Sequence, residues 1–182
     1  MDQKKPLSYY RVKTECTVEN ENCALEKKKI EELVLASCYT EAETLLYAIT
    51  EALNRTRFGS VSYEIIKTKI SDVVFNEVLT QDEPIKDFAV NCFSEDETSG
   101  VGLYSVKVIF FTIDEKSAKE KQTAETLYIP AESNADATER IERHLKDTMS
   151  DFVIRDVKFD KAEAIYWPLE VQREKTEKFT LG

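Results

Sequence analysis

Histidine and glycine are scarce in this chain, with one His and four Gly among 182 residues. That scarcity excludes most familiar catalytic frameworks. Nucleophilic catalysis needs a positioned base, and the single imidazole, His144, lies inside a helical pattern between Arg143 and Leu145. It reads as a surface histidine. The signatures G-x-S-x-G, G-x-x-x-x-G-K-[ST] and G-x-G-x-x-G do not occur, which removes elbow nucleophiles and glycine phosphate cradles. Long apolar runs are missing as well. The longest covers a few residues around 108–111, against the roughly 20 that a spanning helix needs. No apolar stretch follows the positive charges of Met-Asp-Gln-Lys-Lys-Pro, so no export signal is expected. Cys16, Cys23, Cys38 and Cys92 show neither a C-x-x-C pair nor regular spacing, whereas zinc sites want clustered Cys and His. We expect four reduced thiols behaving as small hydrophobes, no metal, no cofactor and a cytoplasmic location.

Positive charge is outweighed. Asp and Glu number 35 against 25 Lys and Arg, a formal net charge of −10. This disfavours a duplex nucleic-acid or anionic-membrane binder, because phosphate binding of that kind rests on clustered Lys and Arg. What is present is 42% apolar and 33% charged residues, the balance of a globular protein. A chain of this size buries roughly 70% of its unfolded surface and needs no stapling.

Two stretches share one order of elements. Tyr10-Arg11-Val12-Lys13 opens a strand with Tyr10, Val12, Thr14, Cys16 and Val18 on one face and polar residues on the other, so half burial is expected. Ninety-four positions later, Tyr104-Ser105-Val106-Lys107 opens another. Its two faces carry Val106, Val108 and Phe110, and Ile109, Phe111 and Ile113, which predicts burial on both sides. Each strand meets a polar turn and a second strand, over residues 30–36 and 123–131. A helix start follows: Thr40-Glu41-Ala42-Glu43, with the threonine hydroxyl on the N3 amide and Glu43 reaching back, then Ser133-Asn134-Ala135-Asp136. Third strands are predicted over 61–70 and 152–159. Ser71-Asp72-Val73-Val74-Phe75 then matches Ala162-Glu163-Ala164-Ile165-Tyr166 in character. The expected fold is α+β: two pseudo-symmetric strand–strand–helix–strand repeats, mainly antiparallel, with helices packed on one face.

The repeats would span 8–78 and 101–168, with a connector at 79–100 and a charged tail at 169–182. The connector holds six acids against the lone Lys86, half of the net charge, and reads as solvated. Ile85, Phe88, Val90 and Phe93 predict that part of it packs down. In the tail, Phe179 and Leu181 are candidate anchors.

The Tyr-x-Val-Lys opening, the Thr40-Glu41-Ala42-Glu43 helix start and the run from Thr112 through Asp114-Glu115-Lys116-Ser117 to Lys121 carry a resemblance. The chain resembles an uncharacterised domain-of-unknown-function family of Bacteroidetes and their phages, from about residue 9 to residue 167. The resemblance implies no activity and assigns no functional residue.

Candidate chemistry is sparse. Asp72 and Glu163 occupy matching places and could meet as a weak carboxylate cation site. Lys27-Lys28-Lys29, and Lys116 with Lys119 and Lys121, give two basic hairpin tips where Tyr9 and Tyr10 could stack bases, but neighbouring acids cancel most of this field. Tyr166-Trp167-Pro168 places the only tryptophan beside another aromatic, a composition typical of interface anchors. The apolar second face of the Tyr104 strand, with Phe111, needs a cover. We therefore expect a non-enzymatic binding or assembly protein of a bacterium or its phage. Its partner would be a protein or a second copy, in a homodimer near Tyr166, Trp167 and Phe111. The alternative is a phage counter-defence or regulatory protein that sequesters a small nucleotide or blocks a host protein.

Overall fold

An asparagine closes the first hairpin. Strand β1 (Ser8–Glu19) runs antiparallel to β2 (Leu25–Ala36). Between them the Asn20 carboxamide oxygen accepts the amides of Asn22 and Ala24, and Cys23 turns the chain at a φ of +58°. The computed structural model describes residues 5–74 and 82–181. The chain continues through α1 (Tyr39–Ala52), β3 (Ser62–Lys67) and β4 (Asp72–Val73), then β5 (Asp82–Ile85) and β6 (Phe88–Cys92). Next come β7 (Gly102–Ile113), β8 (Glu120–Ala131), α2 (Asn134–Leu145) and β9 (Asp151–Asp160), and finally β10 (Ala164–Pro168) and α3 (Leu169–Leu181). The β7–β8 hairpin repeats the first solution: the Asp114 carboxylate accepts the amides of Lys116 and Ser117, and Ala118 adopts a φ of +52°.

The strand order is β3-β1-β2-β10-β6-β5 in one sheet and β4-β8-β7-β9 in the other. The third strand thus lies beside the first in both ββαβ stretches. The short strand that follows each stretch joins the sheet of the other: β4 pairs parallel with β8, and β10 pairs parallel with β2. The segments 8–78, 79–100, 101–168 and 169–182 are contiguous, but the compact units are not. Residues 5–68, 82–92 and 162–181 form one unit; 69–74 and 93–161 form the second. Crossing strands need ladder partners for their backbone groups, and they find them in the other sheet. Residues 82–85 and 88–92 of the connector are strands of the first unit, with Val90 in its core and Ile85 and Phe88 packed against it.

In the first unit, Tyr10, Val12, Val34 and Tyr166 meet Ala42, Leu45, Leu46 and Ile49 of α1. In the second, Tyr104, Val106, Val108, Leu127 and Ile129 meet Ala137, Ile141 and Leu145 of α2. These are the period-2 and period-3.6 faces of the sequence. Helix α3 packs on β10 and β6, and its Lys175 ammonium sits 5.6 Å above the Trp167 ring. Trp167 alternates with Tyr166, so α3 lies on the face opposite α1. The side chains of Phe179 and Leu181, and residue Phe75, lie outside the described residues.

Two expectations are corrected. The first helix starts earlier than Thr40: Cys38 is its N-cap without a side-chain bond, and the Glu41 carboxylate takes the Ser37 amide at 2.7 Å. Glu43 instead accepts from Tyr63 at 2.5 Å. The second helix follows expectation, with the Ser133 hydroxyl on the Asp136 amide at 3.1 Å. The second face of β7 is buried at Leu103 and Ile109, yet Ile113 is 74% exposed.

Candidate functional site

Tyr166 and Trp167 are interior residues, 1% and 0% exposed, which corrects their assignment as partner contacts. Trp167 packs edge-on against Tyr9 at 6.0 Å between ring centroids and is capped by Lys175. The same chain already covers both rings. Tyr9 and Tyr10 are buried too, so neither can stack a base. Phe111 remains half-buried. By strand alternation it shares a sheet face with exposed Ile113 and with Val153, which is 51% exposed. Acidic Glu120 and Asp151 flank these three at the hairpin end, and exposed Lys107 and Lys158 lie further along the same face.

The register does not give Asp72 and Glu163 matching places. Glu32 stands opposite Val12, and Leu127 stands opposite Val106, ninety-four positions on. On their other sides Glu32 aligns with Ala164 and Leu127 with Asp72. Asp72 therefore matches Ala164, one residue beyond Glu163. Its carboxylate accepts the adjacent Val73 amide, while Glu163 lies 3.9 Å from the Lys28 ammonium. Among the described residues no group of three or more His, Cys, Asp or Glu could hold a metal. His144 is exposed on α2. At the hairpin tips, Lys27 pairs with Glu15 at 3.2 Å.

Sequence reasoning passed over the most unusual group. Glu32 is 2% exposed on the core face of β2. Both its oxygens are taken by the Arg55 guanidinium, at 2.5 and 2.9 Å, and Tyr166 Oη donates to Oε1 at 2.9 Å. Burial alone would lower the Arg55 pKa, but the Glu32 hydrogen bonds and charge raise it. Burial, then the Glu32 charge, drives the Tyr166 hydroxyl far above its usual range. The signal was present in the sequence: the apolar alternation Ile30, Val34, Ala36 is broken by one acid at position 32.

Beside this triad opens a pocket of about 480 Å³. Its floor is Cys16, Lys28 and Ile30 of the hairpin, and its wall is Arg55, Arg57 and Phe58 of the loop after α1. Asn54 enters that loop at a φ of +51°. The Arg57 guanidinium lies 4.8 Å from the Phe58 ring centroid, a cation–π contact.

Mixed, mostly antiparallel sheets with helices laid on them make this an α+β protein. The chain belongs to the domain-of-unknown-function family DUF4494, whose model matches residues 8–169. No curated protein and no solved structure matches it.

Proposed function

We propose a non-enzymatic binding or assembly protein that self-associates through the outer half of the second unit's sheet. One observation carries this reading: Phe111, Ile113 and Val153 form an apolar group on a sheet face of the second unit. Such a face is covered in a working protein. The occupant we commit to is a second copy. Turned end for end, it would set Glu120 and Asp151 of one chain against Lys107 of the other, Lys158 being held by Asp156 of its own chain at 2.8 Å. The resemblance supports a bacterial or phage source, and the absence of a disulfide among the four cysteines supports the cytoplasm. No described helix is long and apolar enough to cross a membrane.

Light scattering after size exclusion should give twice the chain mass, and Ile113→Asp should return it to monomer. A wild-type monomer at high concentration would refute self-association. The second reading, sequestration of a small nucleotide, is favoured by the pocket.

A further inference from the structure

Three residues at or beside this pocket differ from their counterparts in the second unit. Ninety-four positions beyond Cys16 stands Phe110, whose ring lies 6.2 Å from that of Phe152 and packs against the core that α2 covers. Cys16 pairs across the ladder with Lys28, where Phe110 pairs with Thr123. Glu32 replaces the buried Leu127. A small thiol leaves volume that a phenyl ring fills, and a lysine and a held arginine then edge that volume. The loop after the helix is longer as well, residues 53–61 against 146–150, and the longer loop supplies Arg55, Arg57 and Phe58.

A buried ion pair is not needed to hold such a sheet. Replacing one by well-packed apolar residues is often neutral or stabilising, and Leu127 fills this position in the second unit. What the pair does accomplish is to fix a guanidinium. Of the five Arg55 N–H donors, Glu32 occupies two, so the rest are held in one orientation. Lys28 is steadied by Glu163. Arg57 has no carboxylate partner among the described residues; its contact is the Phe58 ring.

We infer that this pocket binds a nucleoside phosphate. Its volume falls in the range of small-molecule sites. Arg57 and Lys28 are placed to take phosphate oxygens through charge-assisted hydrogen bonds. Phe58 offers a face on which a base can stack. Glu19, the one carboxylate in the lining, can accept from ribose hydroxyls. This inference stands on the first unit alone and does not depend on self-association.

The test is calorimetry and thermal melting of the full chain with AMP, ADP, ATP, ribose 5-phosphate and inorganic phosphate. Nucleotides should release or absorb heat and raise the melting midpoint. Arg57→Ala should weaken binding about tenfold. Phe58→Ala should reduce nucleotide affinity to that of ribose 5-phosphate, and Cys16→Phe should abolish binding by filling the pocket. Should Cys16→Phe fail to fold, the two loop variants decide. No heat and no shift with any probe would overturn the inference, as would nucleotide binding that both loop variants leave unchanged. Equal affinity for nucleotide and inorganic phosphate would overturn its nucleoside part. Ile113→Asp should bind as the wild type does, so loss of self-association and loss of ligand are read separately.

Discussion

Thr14 lies on the strand face that α1 covers, 2% exposed, and its hydroxyl has no hydrogen-bond partner among the described residues. A buried donor left unmade carries its desolvation cost without return. Thr14→Val should therefore raise unfolding free energy by about 1 kcal/mol in urea titration; a loss would show that the hydroxyl is satisfied in solution. Trp167 makes the opposite case. Removing a fully buried indole from between Tyr9 and Lys175 should cost roughly 3–5 kcal/mol. Trp167→Ala should do so without changing the oligomeric state, since the side chain faces no solvent. Cys38 sits at the N-cap of α1, where the Glu41 amide lowers its thiol pKa. Iodoacetamide should modify it faster than Cys23 or Cys92 at neutral pH, and peptide mapping of a timed reaction would reveal any other order.

At the scale of elements, the two helices show one device built twice. The N3 carboxylate reaches back to the amide before the N-cap: Glu41 to Ser37, and Asp136 to Glu132 at 2.9 Å. Only in the second does a serine complete the reciprocal bond. Burial pushes the Asp136 carboxyl up, but the Glu132 amide and Arg140 outweigh it and leave the pKa lowered. The shared order of β1–β2–α1–β3 and β7–β8–α2–β9 leads to a geometric prediction. An experimental structure should superpose residues 9–67 on 103–160, with the same helix side and a bulge only in β9, where the register slips beside Lys107 and Val108. Different strand order in the two would refute a duplication.

For the whole molecule, stability should fall at both ends of the pH scale. Asp96, held by the Thr98 amide and hydroxyl, and Asp114, held by the Ser117 and Lys116 amides, titrate below the ordinary range, as Asp136 does. Lowered native pKa values stabilise above the unfolded carboxylate range, about pH 4, and that contribution is lost as pH drops through them. The tyrosines act in reverse. Tyr63 is raised first by its bond to Glu43, Tyr104 by burial, and Tyr166 by burial and the Glu32 charge. Their contribution is present below about pH 10 and fades above it, because the unfolded phenols then lose protons that the native ones keep. Urea midpoints across pH should trace a plateau with two falling edges; a midpoint indifferent to acid would contradict the carboxylate part. Self-association should weaken with salt, since exposed charges align its ends.

The amino-acid pattern alone determined the strands and helices of the two ββαβ stretches, their hairpins, the helix faces and the α+β class, but not β4, β5, β6, β10 or α3. Those are local properties: alternation buries Tyr10 and Val12 together, and helical spacing gathers Leu45, Leu46 and Ile49. It also marked Phe111 and Ile113 as apolar in need of cover. Tertiary structure decided what local pattern cannot carry. Parallel pairing of β4 with β8 and β10 with β2 joins residues far apart in the chain, and a one-residue offset there gives Asp72 the place of Ala164 rather than that of Glu163. Trp167 became interior because Tyr9 arrives from distant sequence and α3, which follows directly, folds back over the ring. Arg55 found Glu32 across 23 residues, and Tyr166 found it across 134. A carboxylate in a strand reads as exposed until the fold removes its water, and only the fold showed which cation it holds.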